Sequence, residues 1–222
     1  MKSIILIGLI LLTNATHTNA GAPLHLLSNS QIKDLEENKV IVLKEKVENK
    51  IWPRLKIFAL VNSQPLNSMG IFAAYDYQKN YVPKLARSKV VEQPTATNVL
   101  VEYELEMPWP LSNGVYVHGH HLKKIKDGYE VEWYLVKSTS ADSVNGRASF
   151  TNYKNKTLMY YVSLVEPKSI FAGVLRKLMV NDVVKTIKAI IAEIEKVEQS
   201  NPKLKEKYSL KIKNALVGKK SY

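Results

Sequence analysis

The sequence predicts an α+β domain in which a curved antiparallel sheet wraps around one long C-terminal helix, with two short helices after the first strands. Three observations predict it. Between Ser169 and Gln199, Phe171, Val174, Leu175, Leu178, Val183, Ile187, Ile190, Ile191, Ile194 and Val197 recur mostly at three- and four-residue steps, the period of one helix face. Upstream, several segments alternate apolar and polar residues with the period of a half-buried strand. Between the second and third of these, a segment opened by Pro65 and Ser68 carries Met69, Phe72, Ala73 and Tyr77 at helical spacing.

The long helix starts after Pro167, with Ser169 as its N-cap, and closes at Asn201-Pro202, a reach of about 45 Å at 1.5 Å per residue. A stripe of that length needs a large partner, and a sheet burying one face against it is the economical solution. The strands are read at Lys39–Val47, Arg54–Val61, Val99–Met107, Val115–Ile125, Tyr129–Lys137, Arg147–Tyr153 and Thr157–Val165. The segment 65–93 reads as two short helices kinked near Tyr81-Val82-Pro83. Ahead of the first strand, Ser28 or Ser30 caps a short lead-in helix carrying Ile32 and Leu35.

Composition narrows the chemistry. The 222 residues suffice for one domain with extensions. With no cysteine, disulfides, thiolate catalysis, zinc-thiolate and iron–sulfur sites are excluded. The net charge of +12 comes mostly from lysine, which lacks the planar fork that reads phosphates and base edges. Such a charge suits an anionic membrane surface better than nucleic acid, and no helix-turn-helix, zinc-finger or RNA-sheet motif is present. Lys2, the apolar run Ile4–Leu12 and the small residues of Thr18-Asn19-Ala20 make 1–20 a secretory leader, so the expected product is exported, periplasmic or secreted. The division expected is leader 1–20, lead-in 21–39, domain 40–199 and basic tail 200–222.

The phrase FAAYDYQKNYVPKLARSKVVE from Phe72, with Asp76-Tyr77 and Tyr81-Val82-Pro83, then DGYEVEWYLVKS from Asp127 and TLMYYVSLVEPKSIFAGVLRK from Thr157, together with the element order, carry a resemblance. Over roughly Val40–Gln199 the chain resembles the helix-grip superfamily of steroidogenic-acute-regulatory-related lipid-transfer (START) domains, pollen allergens and polyketide aromatase/cyclases. The resemblance implies a tunnel between sheet and terminal helix that accepts an apolar ligand, and it is silent on activity, since one fold hosts many functions. Large rings at inward positions agree with it: Phe72, Tyr75, Tyr81, Tyr103, Trp133, Tyr160 and Phe171. In such a fold Leu175, Leu178 and Met179, in the first turns of the long helix, lie at the tunnel mouth, with Ile187, Ile191 and Ile194 as anchoring core.

His118, His120 and His121 form the one histidine cluster. With the hairpin turn centred near Leu111, His118 stands opposite Glu104 and His120 opposite Glu102, on the face assigned to water. A cross-strand surface pair is the reading preferred there over a metal site. Asp76 and Arg87 are read as a pair holding the short helices. No Gly-x-Ser-x-Gly elbow and no glycine-rich phosphate loop occurs, so neither a catalytic residue, a metal nor a cofactor is assigned. The tail 203–222 puts Leu204, Tyr208, Ile212, Ala215 and Leu216 on a helical stripe that either lies on an anionic membrane or docks on the domain.

The function expected is therefore an exported carrier or sensor of a hydrophobic ligand, a lipid first. A cyclase-like enzyme and a non-catalytic envelope partner-binding protein are the rivals. N-terminal sequencing of the exported protein should return Gly21 as the first residue; recovery of Met1 would overturn the leader.

Overall fold

The computed structural model describes residues 23–107, 109–110, 112–168 and 172–222, with the backbone alone described for 172–179. The expected leader lies outside them. The first helix, α1 (Asn29–Glu36), is opened by a reciprocal cap: Gln31 N–H donates to Ser28 Oγ and the Ser28 N–H donates to Gln31 Oε1. Two strands follow, β1 (Ile41–Glu45) and β2 (Arg54–Val61), then α2 (Pro65–Phe72), with Pro65 in the first turn where its missing N–H costs nothing. After a 3₁₀ turn at Gln78–Asn80 come β3 (Leu85–Glu92), β4 (Asn98–Leu105), β5 (Gly114–Ile125), β6 (Gly128–Ser138), β7 (Ala141–Tyr153) and β8 (Lys156–Pro167). The chain closes with α3 (Ala172–Ser200) and α4 (Pro202–Leu216).

The eight strands form one antiparallel sheet in the order β1-β2-β8-β7-β6-β5-β4-β3. Alternation gives the sheet an apolar inner face and, on β1, β2 and β8, an apolar outer patch as well. The inner face carries Ile57, Val101, Val131, Ala148, Phe150 and Met159 and meets α2 and α3 in the main core. Phe58, Leu60, Leu158 and Tyr160 point the other way and form a smaller core under Leu27 and Leu35, so α1 covers the outer face of β2 and β8.

The long helix lies across the inner face with Ile187, Ile190, Ile194 and Val197 buried, each aliphatic contributing about 1.5–3 kcal/mol. Three carboxylates fix its C-terminal half to α2 and the segments on either side of it. The Asn62 N–H donates to Glu195 at 2.9 Å, Ser63 Oγ and Asn67 Nδ2 donate to Glu198 at 2.7 and 2.9 Å, and the Tyr77 hydroxyl donates to Glu193 at 2.7 Å. Burial alone would raise the Glu198 carboxyl, yet the donors Lys205, Ser63 and Asn67 hold it below its ordinary value.

One stretch differs from the sequence expectation, and in a second the structure selects one of the readings left open. Residues 85–92, read as part of a second short helix, form the edge strand β3, paired with β4 through two register irregularities. Those irregularities break the two-residue alternation, and the exposed Arg87, Lys89 and Glu92 give the strand the charged edge that discourages further pairing. The tail is a docked helix. Asn201 Oδ1 caps the Leu204 N–H at 3.1 Å, Tyr208, Ile212 and Ala215 enter the main core, and α4 packs chiefly on α2. Gly70 permits that crossing, because a Cβ there would meet the Ser209 nitrogen at 3.0 Å.

Truncating Ile187, which has no exposure to solvent, should cost about 2–5 kcal/mol of unfolding free energy in a urea titration of Ile187→Ala, the range for a buried aliphatic whose site collapses only partly. A cost under 1 kcal/mol would mean that α3 is not the central packing element.

Candidate functional site

Between the middle of α3 and the sheet a cavity of about 280 Å³ remains. Val180, Val183, Thr186 and Ile190 of α3 form one wall. Phe72, Tyr75 and Gln78, on and just after α2, form a second, and the inner faces of β2, β4–β8 close the rest. Trp133 lines the sheet side, tilted against Tyr161 with ring centroids 5.1 Å apart. Its place depends on its cross-strand partner Gly146, where an added Cβ would lie 2.4 Å from the indole ring and 2.4 Å from the Val162 carbonyl oxygen.

Of the residues the sequence singled out as ligand-facing, Phe72, Tyr75, Tyr103 and Trp133 are brought together on this lining. Tyr81 is not among them. Its ring packs on Tyr77 and its hydroxyl donates to the Ile71 carbonyl at 2.9 Å, beside the cavity. Tyr160 stands on the opposite face of the sheet, against Phe58 at 4.7 Å and beneath the Arg147 guanidinium. In the run Met159-Tyr160-Tyr161 the alternation places Met159 and Tyr161 inside, so the inward tyrosine is the neighbour of the one expected. Phe171 lies outside the described residues, as do the side chains of Leu175, Leu178 and Met179.

The histidines are the largest correction. In the β4–β5 hairpin His118 pairs with Val101 and His120 with Val99, while Glu102 and Glu104 face Val117 and Val115. The register differs by three residues from one centred on Leu111, and an odd offset turns every side chain to the other face. His118 and His120 therefore point inward with Tyr116 and Tyr103, and both line the cavity. The two glutamates stay outside and hold Arg87, at 3.2 and 3.3 Å. The Asp76–Arg87 pair is thus replaced, Asp76 accepting instead from the Tyr208 hydroxyl at 3.1 Å. Among the described residues no three His, Asp or Glu side chains converge as a metal site. A signal for the inward histidines existed: Tyr116, His118, His120 and Leu122 share one face of a strand, but Val115 and Val117 made the other face look like the buried one.

The electrostatics follow from burial. His120 is 7% exposed and its Nε2 is 3.1 Å from the Tyr103 hydroxyl; its ring stacks at 4.5 Å on Tyr75. Desolvation pushes His118 down to about 4 and His120 further below its ordinary value, His118 adding to the effect on the latter. The same desolvation raises the buried hydroxyls of Tyr75, Tyr103 and Tyr161. At neutral pH these groups are uncharged hydrogen-bonding groups in an otherwise apolar wall, an arrangement suited to holding an apolar molecule and orienting one polar atom of it.

Neither a protein-family description nor a curated protein matches the chain. Solved structures do. A STAR-related lipid transfer protein fragment from Xanthomonas axonopodis is 16% identical, with 70% of this chain and 93% of that one covered at a TM-score of 0.64. Human STARD10 is 16% identical over 75% of each chain, TM-score 0.57. The Zhui aromatase/cyclase from Streptomyces sp. R1128 is 7% identical over 67% of this chain and 97% of that one, TM-score 0.53. The chain has the helix-grip fold of START-type proteins, as the element order and the sheet wrapped on α3 require.

Acid should destabilise the protein through the buried histidines. The unfolded chain binds a proton at His118 below about pH 6.5 while the folded chain resists until about 4, so stability is complete above pH 6.5 and falls between the two. The loss attributable to His118 is on the order of 2 to 3 kcal/mol. In urea titrations at pH 7 and pH 4.5, His118→Gln should lose correspondingly less stability than the parent; an unchanged difference would exclude His118 as the responsible group.

Proposed function

We propose that the protein is an exported carrier or sensor of a hydrophobic ligand, a lipid or lipid-like molecule held between the sheet and α3. The observation that carries this reading is the cavity itself, whose described lining is overwhelmingly aliphatic and aromatic. Its volume lies at the lower edge of the roughly 300–1,000 Å³ common for small-molecule sites, which favours a single chain or a compact ring system over a two-chain lipid. Burying ten methylenes would supply about 8 kcal/mol before ordering costs, so binding needs no catalytic group.

The rival is a cyclase-type enzyme, and the inward His118 and His120 favour it. A general base works best with a pKa near the operating pH, whereas His118 is pushed down to about 4 and is a weak base at neutrality. That mismatch favours the carrier. An anionic membrane is the partner proposed for loading and release. Its support is the excess of basic over acidic residues, +12 for the whole sequence including Lys2 of the expected leader, and two exposed apolar side chains close in sequence to lining residues, Ile51 next to Trp52 and Trp109 four residues beyond Leu105.

Native mass spectrometry of the purified protein, followed by organic extraction, should reveal one apolar molecule per chain. Protein stripped of it should take up a fluorescent single-chain lipid from anionic vesicles at low salt, with transfer slowing as salt approaches physiological levels and the Debye length shrinks to about 8 Å. A protein that emerges empty and takes up nothing would overturn the carrier reading.

A further inference from the structure

The cavity wall is not uniformly apolar, and one strand pair carries four of its polar side chains, Tyr103 on β4 and Tyr116, His118 and His120 on β5. His118 and His120 of β5 lie with ring centroids 6.1 Å apart, and Tyr103 of β4 reaches both, at 5.4 Å from His118 and 5.9 Å from His120. Tyr116 stands edge-on to His118 at 5.7 Å. One contact is satisfied, that between the Tyr103 hydroxyl and His120 Nε2. His118 Nε2 and His120 Nδ1 are buried with no hydrogen-bond partner in the protein.

Buried polar atoms left unpaired are costly, and native proteins keep few of them. Two within one cluster, on rings that line the same cavity, mark a place where something other than the protein completes the bonding. We infer that His118, His120 and Tyr103 form an anchor for one uncharged oxygen of the ligand, a hydroxyl or a carbonyl at the end of an otherwise apolar molecule. This rests on the carrier reading and narrows it to a ligand class.

The donor and acceptor pattern fits such an oxygen. A neutral imidazole carries one N–H and one bare nitrogen. If the Tyr103 hydroxyl donates to Nε2 of His120, the proton of that ring sits on Nδ1, which becomes a donor; if Nε2 donates to Tyr103, Nδ1 is an acceptor. His118 has the same freedom. A hydroxyl, which both donates and accepts, satisfies two ring nitrogens in either arrangement, and a carbonyl satisfies the donor form. A carboxylate is the poorer fit, because both rings are held neutral by burial and would offer it no countercharge.

Calorimetric titration of the intact, delipidated protein with decane, 1-decanol, 2-decanone and decanoate tests the anchor. In the parent protein 1-decanol and 2-decanone should bind roughly 5- to 10-fold more tightly than decane, the size of one or two net hydrogen bonds, and decanoate no more tightly than the alcohol. In His118→Phe and His120→Phe the preference for the alcohol over decane should fall below about 2-fold while decane still binds. The ¹⁵N resonances of the two imidazoles should move on adding 1-decanol and not on adding decane, a readout that needs no variant to fold. If decane matches the alcohol in the parent protein, or decanoate exceeds it, the anchor is overturned while the apolar cavity stands. If none of the four binds, both readings fall.

Discussion

The fit of α3 against the inner face of the sheet is the constraint on which the rest of the molecule depends. Ile187, Ile194 and Val197 are almost wholly removed from water, and removing them again would expose much of the inner face as well. The same half of the helix carries Glu193, Glu195 and Glu198, groups that would oppose burial if left unpaired. Their donors come from α2 and the segments that flank it, so the apolar contact and the polar contacts specify one placement of the helix. The cavity lies beside the preceding turns, where Val180, Val183, Thr186 and Ile190 of α3 line it.

The second helix of the C-terminal region strengthens that clamp. Through Gly70 the backbones of α2 and α4 approach closely, and Ser209 Oγ donates to Asn67 Oδ1 at 2.8 Å, next to the amide that serves Glu198. Asp76 gathers the Tyr208 hydroxyl and, at longer range, Lys207 and Lys211. Beyond α4, Tyr222 donates to the Ala73 carbonyl at 2.5 Å and packs on Tyr75, which itself stacks on His120. Residues 202–222 are thus continuous with the core that positions one wall of the cavity, rather than an appendage to a domain ending near residue 199.

What the sequence made legible were the elements with a clean pattern. The strand Arg54–Val61 is a short run of apolar and branched residues bounded by a break, the stripe of α3 repeats at three and four residues, and both elements are found where the pattern puts them. Legibility failed where an irregularity intervened. Two bulges hid β3, and a hairpin containing Pro108 and Pro110 has no turn type from which its centre can be counted. That second failure mattered most, since an offset of three residues moved the histidines from solvent to the cavity. Tyr160 shows the same weakness at smaller scale: with two adjacent tyrosines, only the pairing partner decides which one faces in, and Phe58 under α1 selects Tyr160 for the outside. Packing stripes can be read from one segment, whereas the face of a ligand-lining residue depends on register between two.

The separation of charge from polarity explains why this cavity can be selective without being ionic. No lysine or carboxylate side chain is among the described residues of the lining. The described polar groups of the lining are tyrosine hydroxyls and imidazoles, along with Gln78, Ser163 and Thr186, whose neutral forms tolerate burial. Desolvation reinforces the choice: it raises the tyrosines and lowers the histidines, so each moves away from neutral pH and becomes harder to charge. A buried ion would need a partner of opposite sign in the wall and would then favour ligands by charge. Under the proposed anchor, neutral groups left partly unpaired would favour them by hydrogen-bond direction instead, at the cost of two unsatisfied nitrogens in the empty protein, with an apolar surface doing the holding and a single oxygen fixing the orientation.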